Sequence, residues 1–167
     1  GVVLTGSEDL HSELWSEPLH PQAQVMHPRR QATAMLLCRA LLRRVTPILA
    51  ICGGMQNLAV AAGGSIHQHI PDLGDSLLDH ATGVEPDAPR HGVVAEEDSR
   101  LARLLGTRFE TNSAHHQAVA VLVDSMLPVA HASDGLLEAY ELRDRPFGVA
   151  VQWHPEYLSD VEDAASW

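Results

Sequence analysis

The ten residues Pro47-Ile48-Leu49-Ala50-Ile51-Cys52-Gly53-Gly54-Met55-Gln56 constrain the fold more than any other part of the chain. They open as an apolar run of strand length with a proline at its entrance. The run meets a cysteine and two glycines, then continues as Met55 to Ala62, which reads as helix. A strand that turns sharply into a helix with a nucleophile at the turn is a nucleophile elbow. The glycine pair permits a strained backbone and close approach of another group. The first N–H groups of the helix lack intrahelical partners and point at whatever lies above the sulfur. They are expected to favour the thiolate over the thiol. An activated sulfur beside free donors suits acyl transfer. A buried cysteine on a buried strand gives the same local pattern without chemistry.

The 167 residues suffice for one α/β domain. No apolar run is long enough to span a bilayer, and the start carries no signal-peptide pattern. The net charge is -11, and all 11 basic residues are arginine, so nucleic acid and anionic membranes are not expected partners. Two cysteines, one at a reactive turn, do not make a disulfide framework, and a reducing cytoplasm is the simple reading.

In chain order, Gly1 to Thr5 reads as a buried strand and Gly6-Ser7 as a turn that presents backbone N–H groups. His11 to Pro28 reads as a loop or lid. Gln31 to Arg44 reads as a helix with Ala34, Leu37, Cys38, Leu41 and Leu42 on one side, which places Cys38 in the core. After the elbow, Gly63-Gly64 ends the helix and Ser65 to Ile70 alternates like an edge strand. Pro71 to Arg90 reads as a second long loop and His91 to Ala95 as a short strand. Asp98 is expected to cap a helix ending at Gly106. Phe109 to Asn112 reads as a strand into the polar turn Ser113-Ala114-His115-His116-Gln117. Three more strands follow at Pro128 to Ala132, Leu136 to Leu142 and Phe147 to Trp153. An early strand–helix–strand unit and a hairpin-rich second half predict a mixed sheet with helices on both faces.

A cysteine at an elbow needs a base, and His154-Pro155-Glu156 offers one. Pro155 biases His154 to an extended conformation, so the chain turns just past the last strand. Glu156 can reach back and hold the imidazole in one tautomer, completing a nucleophile–base–orienter set. Taken alone the same residues are an ordinary His-Pro turn. The histidines also invite a metal reading through His67-x-His69, His115-His116, His80 and His91. No cysteine pair or His/carboxylate set at ligand spacing accompanies them, so no metal is expected.

Three motifs occur in a fixed order: Ala50-Ile51-Cys52-Gly53-Gly54-Met55-Gln56, Thr111-Asn112-Ser113-Ala114-His115-His116-Gln117 and Gln152-Trp153-His154-Pro155-Glu156-Tyr157. Together they resemble class I glutamine amidotransferase-like proteins. With Leu4-Thr5-Gly6-Ser7-Glu8-Asp9-Leu10-His11 added, the chain looks most like the γ-glutamyl-γ-aminobutyrate hydrolase group. The resemblance implies a flavodoxin-like three-layer α/β sandwich with a mixed, mostly parallel central sheet over 1–167. It implies Cys52 as nucleophile on a γ-glutamyl amide, His154 as base and then acid, and Glu156 as orienter. Gly53, with Gly6 or Ser7, would supply the oxyanion hole. Gln56, Ser113, His115, His116 and Gln117 would hold the glutamyl group, through a γ-glutamyl thioester and with no cofactor. The expected partner is a small γ-glutamyl substrate, with self-association open. A glutaminase passing ammonia to a synthase partner is the alternative, and an inactive remnant a second. Gly53 stands where this group usually has arginine, and Arg30-Gln31 where an Arg-Asp pair is frequent. The group's first strand and helix, before Gly1, and its terminal helix, after the His-Pro-Glu turn, have no counterpart here.

Overall fold

A computed structural model of the chain describes residues 1–85, 88, 90–143 and 145–158. Its centre is a seven-stranded sheet. β1 (Val2–Leu4) lies beside β2 (Ile48–Ile51), followed by β9 (Gly148–Val151), β8 (Leu137–Leu142), β7 (Met126–Ala132), β4 (His91–Ala95) and β5 (Arg108–Thr111). The sheet is mixed, as expected, but its parallel part is the smaller one. Pairing is parallel from β1 through β2 to β9 and antiparallel from β9 onward to β5. The physical reason is connection length: β7 to β9 are joined by tight turns, which can only make antiparallel pairs. The expected hairpin-rich second half is therefore what limits the parallel portion.

Helices α1 (Pro28–Leu42) and α2 (Gly53–Ala61) cover one face, and α3 (Arg100–Leu105) covers the other. Each face has its own core. Leu4, Met35, Cys38, Leu41, Ile48, Met55 and Leu58 pack together on the first. Val93, Leu101, Leu105, Phe109, Val149 and Trp153 pack on the second. The Tyr140 hydroxyl, from β8, donates to the Met55 carbonyl at 2.8 Å and ties α2 to the sheet.

Cys38 is a core residue, as its helical position predicts, but the buried stripe of α1 is turned from the expected one. It runs through Gln31, Met35, Cys38 and Leu41, and Leu37 is exposed. Gln31 turns inward because its Oε1 accepts the His11 N–H at 2.7 Å, which fastens the start of the lid segment to the helix. The lid is only partly irregular, since Ser12–Trp15 form a 3-10 turn. The cap of α3 is Ser99 rather than Asp98; its hydroxyl accepts from the Ala102 N–H at 2.9 Å. The segment read as an edge strand is strand only over β3 (Ser65–His67), and Ile70 opens a 3-10 turn. A strand not expected, β6 (Ala118–Val121), pairs with β3 as a separate two-stranded sheet. Among the described residues, no helix is long and apolar enough to cross a membrane.

The start of α2 presses directly on the chain after β1. A Cβ added to Gly54 would lie 2.7 Å from the Leu4 carbonyl carbon and 2.9 Å from the Leu4 Cβ. Backbone atoms cannot yield as a side-chain tip can. Gly54→Ala should therefore destabilise the fold by about 1–3 kcal/mol, the usual range for overpacking. Denaturant unfolding of the two proteins side by side checks this; equal midpoints would show that the contact is not tight.

Candidate active site

Cys52 sits between β2 and α2 with φ 49 and ψ -113, a region side chains rarely adopt. Such strain persists only where the surroundings fix it. The Cys52 N–H donates to the Val151 carbonyl at 2.8 Å, holding the residue to the end of β9. The first turn of α2 is wedged below the Gly6-Ser7 turn: a Cβ on Gly53 would meet the Ser7 nitrogen at 2.5 Å. This contact gives the Gly53 position a steric reason for glycine. A Cβ on Gly6 would lie 3.0 Å from His154 Cε1 and 3.9 Å from Cys52 Cβ. The imidazole edge and the cysteine thus face the same glycine from two strands. His154 Nδ1 is 2.8 Å from Glu156 Oε1.

The electrostatics differ from the expectation for a helix N-terminus. Burial pushes the Cys52 thiol up to about 11, opposed by the Gly53 N–H and reinforced by the Glu156 and Glu138 carboxylates. Gln152 Nε2 lies 3.6 Å from the sulfur as a further donor. Desolvation outweighs the donors at the helix terminus and holds the sulfur toward the thiol form.

The sulfur lies in a cavity of about 180 Å³ lined by Ser7, Glu8, Asp9, Gln24, Gln56 and residues of the 114–117 turn. Larger cavities, of about 450 and 510 Å³, lie elsewhere and are lined by neither cysteine nor histidine. The sequence reading missed Asp9, whose side chain organises the mouth of the cavity. Its carboxylate accepts the Gln24 N–H at 2.7 Å and faces His116 Nε2 at 3.0 Å. Gln56 Nε2 donates to the Gln117 carbonyl at 3.1 Å and to Gln152 Oε1 at 3.2 Å, locking the turn to α2. Ser113 and His115 are engaged in buried hydrogen bonds of the turn, and His115 also lines the cavity. The Ser113 hydroxyl lies between His80 Nδ1 (3.1 Å) and His115 Nε2 (3.2 Å), and burial holds the His115 imidazole down to about 4. Asn112, also missed, grips His154 twice: its Nδ2 donates to the His154 carbonyl and its Oδ1 accepts the His154 N–H, both at 2.9 Å. Its position just before the polar turn was the available signal.

The sequence profile of the peptidase C26 family matches residues 1–156. The chain belongs to the peptidase C26 family. It is 40% identical over 167 residues to γ-glutamyl-γ-aminobutyrate hydrolase PuuD of Escherichia coli, a match covering 95% of this chain and 65% of that protein. It is 39% identical over 160 residues to a Mycobacterium tuberculosis protein provisionally named a glutamine amidotransferase, covering 95% of this chain and 51% of that one. The chain therefore spans about half to two thirds of the length of these relatives. Among solved structures, a glutamine amidotransferase of Thermotoga maritima shares the fold with a TM-score of 0.60 at 17% identity, over 92% of this chain and 56% of the other.

The raised thiol has a direct chemical signature. Alkylation of Cys52 by iodoacetamide should accelerate about tenfold per pH unit above neutrality, with no plateau until near pH 11. Cys38, buried in the core, should stay unlabelled until the chain unfolds. Peptide mass spectrometry after timed labelling measures both, and a Cys52 plateau near pH 7 would mean that the helix terminus dominates after all.

Proposed function

We propose that this C26 chain carries the catalytic centre of a γ-glutamyl amide hydrolase. One observation carries the proposal: Cys52 stands at a strained elbow on the floor of a polar cavity, with a Glu156-bonded His154 packed against the same Gly6. Identity to the E. coli γ-glutamyl-γ-aminobutyrate hydrolase supports the substrate class.

In this reading the α-ammonium of the glutamyl group lies toward Glu8 and Asp9, whose carboxylates line the cavity. His116, Gln117 and Gln56 bound the glutamyl group, while Ser113 and His115 brace their turn. His154 Nε2, the nitrogen not used by Glu156, takes the Cys52 proton. The sulfur attacks the γ-carbonyl carbon, and the oxygen gains the negative charge. The N–H groups of Gly53 and of the Gly6-Ser7 turn stabilise that oxyanion. His154 returns its proton to the leaving amine as the C–N bond breaks, leaving a γ-glutamyl thioester. Water, deprotonated by His154, attacks the thioester and releases glutamate and the thiol. Because burial favours the protonated thiol, the base acts in the first step.

The second reading, a glutaminase that passes ammonia to a synthase, is favoured by one observation: the M. tuberculosis relative is named for amidotransfer. A panel of γ-glutamyl amides that includes glutamine separates the two. Glutamate release from substituted amides without a partner supports the hydrolase, and ammonia from glutamine that rises only on adding a synthase supports the alternative. No release from any amide would leave an inactive member of the family.

Glu156 separates a triad from a cysteine–histidine pair. His154→Ala should abolish turnover, because neither sulfur nor leaving amine then has a proton partner. Glu156→Gln should leave a reduced kcat, since its amide can present N–H instead of oxygen to Nδ1 and favour the wrong tautomer. Substrate affinity should survive both changes. Steady-state kinetics of the two variants decide the matter; parental kcat in Glu156→Gln would reduce Glu156 to a turn residue.

A further inference from the structure

Beside the 113–117 turn, four chain segments bring titratable side chains to one buried point. His80 comes from the loop after α2 and β3, His91 from the start of β4, His115 from the turn and Glu138 from β8. His91 Nε2, His80 Nδ1 and His115 Nε2 lie 3.1, 3.5 and 3.8 Å from the same Glu138 Oε1. The Glu138 side chain is fully buried, and its Oε2 has no hydrogen-bond partner among the described residues.

The hydrogen bonds around the cluster leave it short of protons. His115 Nδ1 lies 2.9 Å from the Gln117 carbonyl, which can only accept, so Nδ1 carries the hydrogen and the neutral ring turns the Nε2 lone pair inward. His80 Nε2 lies 2.9 Å from Asp134 Oδ2, a carboxylate that likewise takes the hydrogen and leaves the Nδ1 lone pair inward. Two ring nitrogens and two carboxylate oxygens then face inward as acceptors. Among the hydrogen bonds of the described residues, the Ser113 hydroxyl and one His91 N–H are the donors toward them. A buried acceptor without a donor is costly, and such groups are almost always satisfied.

We propose that this point is a metal site, holding a Zn²⁺-class divalent ion on His80 Nδ1, His91 Nε2 and the Glu138 carboxylate, with His115 Nε2 beside the fourth position. A tetrahedron with metal–ligand bonds of about 2.0–2.1 Å has edges of roughly 3.3–3.4 Å, which the 3.1 and 3.5 Å separations to Glu138 bracket. Ligand atoms of His80, His91 and Glu138 all lie within 4.8 Å of one another. The outer partners are those that fix metal-bound histidines: a carboxylate, Asp134, on His80 and a backbone carbonyl on His115. An ion there would join the loop holding His80 to β4 and β8. That loop is also stitched to the turn by the His115 N–H to the His80 carbonyl, at 2.8 Å, and the Gly83 N–H to the Ser113 carbonyl, at 2.9 Å. The ion would therefore brace the wall of the Cys52 cavity, as a structural site. The inference is independent of the hydrolase reading. It replaces the sequence expectation of no metal, which rested on spacing: residues 80, 91, 115 and 138 have none, and only the fold assembles them.

The test is metal binding by the whole chain, read without an activity assay. After treatment with a chelator, the chain is titrated with Co²⁺. One equivalent should bind, with the visible absorption of a four-coordinate nitrogen and oxygen site, no thiolate charge-transfer band, and displacement by Zn²⁺. Zn²⁺ should raise the melting temperature of the chelator-treated chain. His91→Ala and Glu138→Gln should lose the absorption, Asp134→Asn should weaken binding by about 10- to 100-fold, and His67→Ala should match the parent. If the parent binds no stoichiometric Co²⁺ and its melting temperature ignores Zn²⁺, the cluster is a proton-only network and the proposal fails. It fails equally if His91→Ala and Glu138→Gln bind as the parent does, or if thiolate bands appear. Should either variant not fold, the parent titration and its melting shift decide alone.

Discussion

The contact on which the site depends is backbone against backbone. The N-terminus of α2 meets the strand end and turn at Leu4 to Ser7 with no side chain between them, because residues 53 and 54 are glycines. That closeness forces the chain from β2 into α2 through one residue, and Cys52 takes up the turn at positive φ. The same wedge sets Gly53 against the Ser7 backbone and leaves the Gly53 N–H as a donor to the sulfur. Geometry and donors thus come from one steric fact rather than from separate features. The strain at Cys52 is sustained by the sheet, since its N–H is held by β9 and its helix by Tyr140.

Burial decides what the sulfur is at rest. In sequence, the elbow reads as a helix N-terminus that favours a thiolate. In the fold, the sulfur is buried, and two carboxylates lie near enough to oppose the negative charge. A helix terminus is worth about 0.3–1 kcal/mol at an exposed site, whereas a shift of one pKa unit is already about 1.36 kcal/mol. The two short-range donors, Gly53 and Gln152, lower the value without overcoming desolvation. A buried thiol kept neutral is protected from oxidation and stray alkylation.

The elbow, the His-Pro-Glu turn and the core position of Cys38 were legible because each is local: a few adjacent residues determine them. The parallel strands β1 and β2 were legible for the same reason. What escaped was non-local. Gln31 is buried because a loop nitrogen 20 residues earlier needs an acceptor, which no helical period can register. β6 was hidden because its partner β3 is short and distant. Asp134 read only as a turn residue and Glu138 only as part of an alternating strand, although together with three histidines they fill one buried point. Asn112 stood inside a motif, yet its task appears only when β5 and the chain after β9 are brought together.

That last pairing says something about the shape of the sheet. β5 is the edge strand, four positions from β9, and strands in a flat sheet are spaced by about 4.8 Å, which would set Asn112 roughly 19 Å from the chain it grips. It bonds His154 at 2.9 Å instead, and Phe109 on β5 meets Trp153 with ring centres 5.4 Å apart. The sheet is rolled until its edge touches its own interior, and the asparagine is the clasp. Curvature and the aim of the imidazole are consequently one mechanical variable. A force that unrolls the sheet at its β5 margin would free His154 from Asn112 and carry the 114–117 wall of the cavity away with it.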